Sequence, residues 1–176
     1  MKTLILYSTR DGQTKKIVDF IAERLNGDVA VHSIKDFHAD LAQFDNIIIG
    51  ASIRYGHFDK HLYKTIEKST TLLNEKHTAF FGVNLTARKA GKDTAETNVY
   101  VRKFLQRITW KPKLADVFAG ALLYPRYSWF ERSMIQFIMK ITGGETDTSK
   151  EIEYTDWKRV ADFAQKFNRS SEDMRN

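Results

Sequence analysis

Five short runs of apolar residues rich in Ile, Val and Phe alternate along the chain with segments of helical period. They are "TLILY" (3–7), "VAVHS" (29–33), "NIIIG" (46–50), "TAFFGV" (78–83) and "DVFAGALLY" (116–124). This alternation leaves few folds open, because strands that are apolar at nearly every residue have to be covered on both faces. The intervening segments carry the stripes that would cover them: Ile17, Phe20, Ile21 and Leu25 before the stop signal Asn26-Gly27; Leu62, Ile66 and Leu73; Val101, Phe104, Leu105 and Ile108; and Val160, Phe163, Ala164 and Phe167. The connection around 35–43 is weakly helical at best. Strands and helices in this order, joined by right-handed crossovers, predict an α/β domain with a doubly wound, five-stranded parallel sheet in the order 2-1-3-4-5. With 176 residues, 42% of them hydrophobic, the chain is long enough for one well-buried core. The domain is expected to span 1–168, with an insertion at 125–150 and a disordered tail at 169–176.

In a doubly wound sheet, ligands bind beyond the carboxyl ends of the strands, at the switch point between the first and third. The loops that meet there are "STRDGQT" and "ASIRYGHF". The first ends a strand and opens a helix, so backbone N–H groups and the positive end of the helix dipole converge where an anion is favoured. Ser8, Thr9 and Thr14 supply hydroxyls, and Gly12 supplies free backbone. The loop is not a Walker A motif, since no Lys precedes Thr14, and it lacks the G-x-G-x-x-G of a dinucleotide turn. A terminal phosphomonoester fits it better; a capped turn without ligand is the alternative.

Composition removes other chemistries. The chain has no cysteine, which excludes disulfides, thiolate metal sites, iron–sulfur clusters and thiol catalysis, and favours a reducing compartment. No metal is expected. Lys2 is followed only by "TLILY", short of a signal peptide's apolar region, and no stretch approaches the ~18 apolar residues of a membrane span, so the cytoplasm is the expected location. A net charge of +6 and a pI near 9.4 call for an anionic partner: nucleic acid, an anionic lipid surface or a small polyanion. The basic residues gather at a ligand-type edge and not in an aromatic-interleaved stripe, so nucleic acid is not expected.

The run Ile5-Leu6-Tyr7-Ser8-Thr9-Arg10-Asp11-Gly12-Gln13-Thr14 resembles the flavodoxin signature, in which hydrophobic residues and an aromatic lead into a Thr-x-x-Gly-x-Thr phosphate loop for FMN. Val18 departs from it, standing where that signature usually has Ala. More narrowly, "STRDGQT", "IGASIRYGHF", "NLTARK", "YPRY" and "GGETDT" followed by "YTDW", in that order over nearly the whole chain, resemble the flavodoxin-like, menaquinone-dependent protoporphyrinogen IX dehydrogenases of bacterial haem synthesis. The resemblance implies a flavodoxin-like fold, FMN as cofactor, protoporphyrinogen IX as substrate and menaquinone or another respiratory quinone as acceptor. It also implies that FMN is held by Ser8, Thr9, Arg10, Asp11, Gly12, Gln13 and Thr14, by Ala51, Ser52, Ile53, Arg54, Tyr55 and Gly56, by Asn84, Leu85, Thr86, Ala87 and Arg88, and by Gly144, Thr146 and Asp147. The implied chemistry is ping-pong: hydride leaves a meso carbon for the flavin while a pyrrole N–H loses its proton, repeated for three two-electron cycles. Two rival readings are a flavodoxin-type electron carrier, against which the basic charge argues, and another FMN-dependent quinone reductase.

The remaining loops add detail. Gly56 permits backbone conformations closed to other residues, and Ile53 and Tyr55 can cover an isoalloxazine. Arg54, among apolar and aromatic neighbours, offers bidentate pairing to a substrate carboxylate. His57 can relay protons near neutral pH. With Arg88 and Arg126, these residues are the substrate-binding candidates, and no side chain stands out as a catalytic base. "NLTARKAGK" offers backbone groups to a flavin's pyrimidine edge and the positive charge of Arg88, Lys89 and Lys92. The segment after the fifth strand is too long to be a simple connection. Within it Phe130, Met134, Ile135, Phe137, Ile138, Met139 and Ile141 occupy a wide apolar arc, with Glu131 as an exception. An interfacial helix is expected, with Trp129, Phe130, Met134, Phe137, Ile138 and Ile141 towards lipid and peripheral attachment to the inner membrane. Packing of the same helix on its own domain, or in a homo-oligomer, is the alternative. Gly143 and Gly144 stop the helix, and "GGETDT" returns the chain to the flavin side.

Overall fold

Strand β1 (Lys2–Ser8) pairs in parallel with β2 (Asp28–Ser33) on one side and β3 (Asn46–Ser52) on the other. Strands β4 (His77–Asn84) and β5 (Leu114–Ala119) follow β3, giving the order 2-1-3-4-5 in this computed structural model, which describes residues 1–173. The strands send apolar side chains to both faces. Leu4 and Leu6 face one layer and Ile5 the other, because successive side chains of a strand point to opposite faces.

Helices α1 (Gln13–Ala22) and α5 (Trp157–Asp173) cover one face, with Ile17, Val18, Ile21, Val160, Phe163 and Phe167 packed on Ile5, Ile48 and Phe81. Val18 is fully buried in that layer, so the departure from the flavodoxin signature is absorbed by packing. Helices α2 (Lys60–Glu75) and α3 (Val99–Arg107) cover the other face. There Leu62, Ile66, Val101 and Phe104 meet Leu4, Ile49 and Phe80, and Trp110 donates its indole N–H to Thr78 Oγ1 at 3.0 Å.

The structure departs from the sequence pattern in two places. The apolar run 116–124 is not one strand: Gly120 ends β5, and Ala121–Leu123 forms β6, which pairs antiparallel with β7 (Glu151–Glu153) in a separate two-stranded sheet. Gly120 is held between layers, its N–H donating to the Asn84 carbonyl at 3.2 Å and its carbonyl accepting from Tyr154 N–H at 3.0 Å. The connection around 35–43, weakly helical in the sequence, holds a 3-10 turn at Leu41–Gln43, capped by Asp40, as expected. The expected tail is helical as far as Asp173, because Ser171 is buried against the sheet and donates to Asn46 Oδ1 at 3.2 Å; residues 174–176 lie outside the described residues.

The insertion folds into α4 (Trp129–Thr142). Ser128 and Glu131 form a capping box at its start, and Gly143 ends it with φ 70°, the left-handed conformation a helix C-terminus favours. Among the described residues no helix is long and apolar enough to cross a membrane.

Candidate active site

The carboxyl ends of β1, β3 and β4 open into a cleft of about 470 Å³, roofed by α4. Its floor is the loop after β1. Gly12 caps α1 at φ 93°, and its N–H donates to Thr9 Oγ1 at 3.1 Å. The first-turn N–H groups of a helix have no intrahelical acceptor, so those of α1 are available to an anion. Thr14 is only 1% exposed, yet its Oγ1 lacks any hydrogen-bond partner. Buried hydroxyls are nearly always satisfied, so one left free on a cleft wall marks a ligand-binding position, and beside a helix N-terminus it suits a phosphate. The donor set therefore fits the FMN phosphate. Gln13 ties the loop to the rest of the domain by donating to Glu153 and to Thr155 Oγ1, both at 3.0 Å.

The second wall is a tight turn. Arg54 N–H donates to the His57 carbonyl at 3.0 Å and His57 N–H to the Arg54 carbonyl at 3.1 Å, while Tyr55 and Gly56 both adopt positive φ, 53° and 81°. Two such residues in succession are what a type I′ turn demands, and Tyr55 takes the less favourable one to stand 41% exposed on the cleft wall. Arg54 is not free for substrate in the way the sequence suggests. Its Nη2 pairs with Asp11, and its Nη1 lies 3.8 Å from Glu131 without a hydrogen bond. Arg10 reaches the same Glu131 at 3.5 Å. Glu131, the apparent exception in the apolar arc of α4, thus faces the two arginines of these loops from the first turn of the helix.

The third wall follows β4. Asn84 and Asn98 exchange amide hydrogen bonds at 3.1 and 3.2 Å, and Asn84 Oδ1 accepts from Ala87 N–H at 2.9 Å, which locks the strand end to the start of α3. Arg88 donates from Nη1 to the Leu85 carbonyl at 2.8 Å, leaving Nη2 buried and unpaired. Lys89 donates to the Thr142 carbonyl at 2.8 Å, joining this loop to the end of α4.

Most expected cofactor residues line the cleft: Thr9, Arg10, Asp11, Gln13, Thr14, Ser52, Ile53, Arg54, Tyr55, Gly56, Asn84, Leu85, Thr86 and Arg88. Others stand outside its wall. Ser8, Ala51 and Ala87 are buried in or beneath the strand ends, and Gly12 serves as the helix cap. His57 is exposed beyond the turn it closes. Arg126 is held away by Glu151, at 2.8 and 3.2 Å. The return loop reaches the site only indirectly: Gly144 packs on Met139 and Arg88, the Thr146 carbonyl accepts from Gln136, and Asp147 caps Ser149. The sequence reading missed Thr97, Val99, Tyr100 and Tyr127, and placed Ile135 and Met139 only in the apolar arc, although all six line the cleft. The length of the insertion points to Tyr127, Ile135 and Met139, whereas nothing local marks Thr97, Val99 and Tyr100 around the start of α3. Burial pushes the Tyr127 phenol up, so it keeps its proton at neutral pH.

The arc of α4 also divides in two. Ile135 and Met139 are buried, and with Ile138 they face the cleft; Met134 is half-buried; Trp129, Phe130, Phe137 and Ile141 are exposed, Trp129 by 80%. Ile138 is both 44% exposed and on the cleft wall, so it belongs to the site as well as to the outer surface.

Residues 4–149 match a family model described as a flavodoxin domain. A protein of Leishmania major named protoporphyrinogen IX dehydrogenase [quinone] is 53% identical over 94% of this chain and 74% of its own. One of the same name from Escherichia coli (strain K12) is 51% identical over 93% of each chain. Among solved structures, an oxidised flavodoxin 1 from Bacillus cereus superposes with a TM-score of 0.56 at 16% identity, covering 95% of this chain and 97% of its own, which shows the shared fold. With these matches spanning the phosphate loop, the walls of the cleft and its helical roof, the chain belongs to the flavodoxin domain family, in the branch whose curated members are named protoporphyrinogen IX dehydrogenase [quinone].

Proposed function

We propose that the chain oxidises protoporphyrinogen IX to protoporphyrin IX with FMN as its cofactor and a respiratory quinone, menaquinone, as acceptor. The observation that carries the reading is identity above half with relatives of that name over nearly the whole chain. Bound FMN supplies the two-electron chemistry, which the protein orients and surrounds with charge. Thr14 Oγ1 and the first turn of α1 hold its phosphate. Ile53, Tyr55 and the inner residues of α4 shield the cleft from water, while Arg10, Arg54, Arg88, Lys89 and Lys92 draw in a substrate with carboxylates. No side chain on the cleft is assigned as a base. Trp129, Phe130, Phe137 and Ile141 form an exposed apolar stripe suited to a lipid interface at the cytoplasmic face of the membrane, where a quinone would arrive.

Anaerobic mixing of the FMN-loaded protein with protoporphyrinogen IX tests the reading. Flavin absorbance should bleach as porphyrin fluorescence rises, and a menaquinone analogue should restore the flavin. Bleaching by NADPH but not by the porphyrinogen would make it a pyridine-nucleotide quinone reductase. Reduction only by a partner protein would make it an electron carrier.

A further inference from the structure

Two guanidinium groups at the mouth of the cleft come from different loops and converge on one acceptor. Glu131 Oε1, on the first turn of α4, lies 3.5 Å from Arg10 Nη2 and 3.8 Å from Arg54 Nη1. The contact is incomplete. Arg54 Nη1 is buried and makes no hydrogen bond, while the second oxygen of Glu131 accepts from the Ser128 N–H at 3.4 Å and its hydroxyl at 3.2 Å. A carboxylate well matched to a guanidinium binds it with two parallel hydrogen bonds below 3 Å. Glu131 meets neither arginine that way, because its second carboxylate oxygen is committed to Ser128 in the capping box.

Charge sharpens the point. Asp11 neutralises Arg54 through its Nη2, so Arg10 and Arg54 together lack one negative charge. Glu131 supplies it, and an incoming carboxylate would supply it equally. Glu131 is itself a quarter exposed at the cleft rim and would return to solvent easily.

We infer that Arg10 and Arg54 form a carboxylate subsite, for which Glu131 competes with a substrate carboxylate. A ligand carboxylate that displaces Glu131 also releases the first turn of α4 from the phosphate loop, while Ile135 and Met139 stay packed and Lys89 still holds the far end of the helix. The inference rests on the porphyrinogen reading, since that substrate brings the carboxylates.

The test is equilibrium binding of protoporphyrin IX, a dicarboxylate, and of its uncharged dimethyl ester to the FMN-loaded protein. Glu131→Gln keeps an N3 residue able to complete the capping box while removing the competing charge. It should tighten binding of the diacid by roughly threefold or more and leave the diester unchanged. Arg10→Ala should weaken the diacid selectively. In turnover, Glu131→Gln should lower KM for protoporphyrinogen IX without a parallel fall in kcat. Equal effects on diacid and diester, or a diacid affinity that Glu131→Gln leaves unchanged or weakens, would overturn the subsite while leaving the substrate reading intact. A wild-type protein that binds neither porphyrin and whose flavin the porphyrinogen does not reduce would remove the substrate reading and the subsite with it.

Discussion

A buried hydroxyl with nothing to bond costs stability, and Thr14 keeps one on the floor of the cleft. Thr14→Val should therefore leave the FMN-free protein as stable as the wild type or slightly more so. FMN affinity should fall by about tenfold or more, since a hydrogen bond to a charged group contributes about 1.5–3 kcal/mol. Flavin fluorescence titration with a parallel melting curve checks both halves. Gly12 acts differently: a Cβ there would meet open space, but at φ 93° a side chain is strained. Gly12→Val should thus act through the backbone, lowering stability by about 1–2 kcal/mol as well as weakening FMN.

Among the elements, α4 is the least typical, since its two apolar edges do different work. Phe137 and Phe130 are 63% and 62% exposed, so changing both to Ser should shift the melting temperature little while reducing co-sedimentation with anionic vesicles. Met139 is buried at 2% exposure, and Met139→Ala should cost about 2–5 kcal/mol and loosen the roof of the cleft. If the Phe130 and Phe137 change lowered stability by as much, with vesicle binding intact, the outer edge would be a packing surface and not a lipid one. Helix α2 offers a pH-dependent case. Its N-cap Asp59 accepts from His61 N–H at 2.8 Å. Burial opposes the Asp59 charge, but the His61 backbone and ring and Lys35 outweigh it and hold the carboxyl down at about 2, against 3.8 unperturbed. Because the folded value is the lower one, the stabilisation is present above pH ~3.8 and disappears as pH falls towards 2. Asp59→Ala should cost about 1 kcal/mol at neutral pH and little at pH 2, as read from denaturant melts at the two values.

For the molecule as a whole, the cleft lies at the carboxyl edge of one five-stranded parallel sheet. FMN at a hundredfold excess over its Kd should add about 2.7 kcal/mol to stability, visible as a higher melting temperature. With a net charge of +6, adsorption to anionic vesicles should weaken steeply between low and physiological salt, whereas attachment through the apolar stripe should persist. A salt titration of vesicle binding separates the two contributions.

The amino-acid sequence by itself determined the sheet, its strand order and the phosphate loop. Strands apolar at nearly every residue, such as "NIIIG", call for burial on both faces, and Thr9, Gly12 and Thr14 lie within six residues of the end of β1, so local spacing carries their meaning. Tertiary structure alone decided what joins distant segments. Arg54 reads as free in the sequence because its partners, Asp11 and Glu131, lie in other elements. Arg126 looks like a site residue, yet Glu151 pairs with it away from the cleft, and the 144–147 loop meets the site only through Met139 and Arg88. The wide apolar arc of α4 leaves a lipid interface and packing as alternatives, and only the packed helix shows that one edge roofs the cleft while the other faces outward. Periodicity records how many side chains seek burial, and the partner that buries them is set by where the chain returns in space.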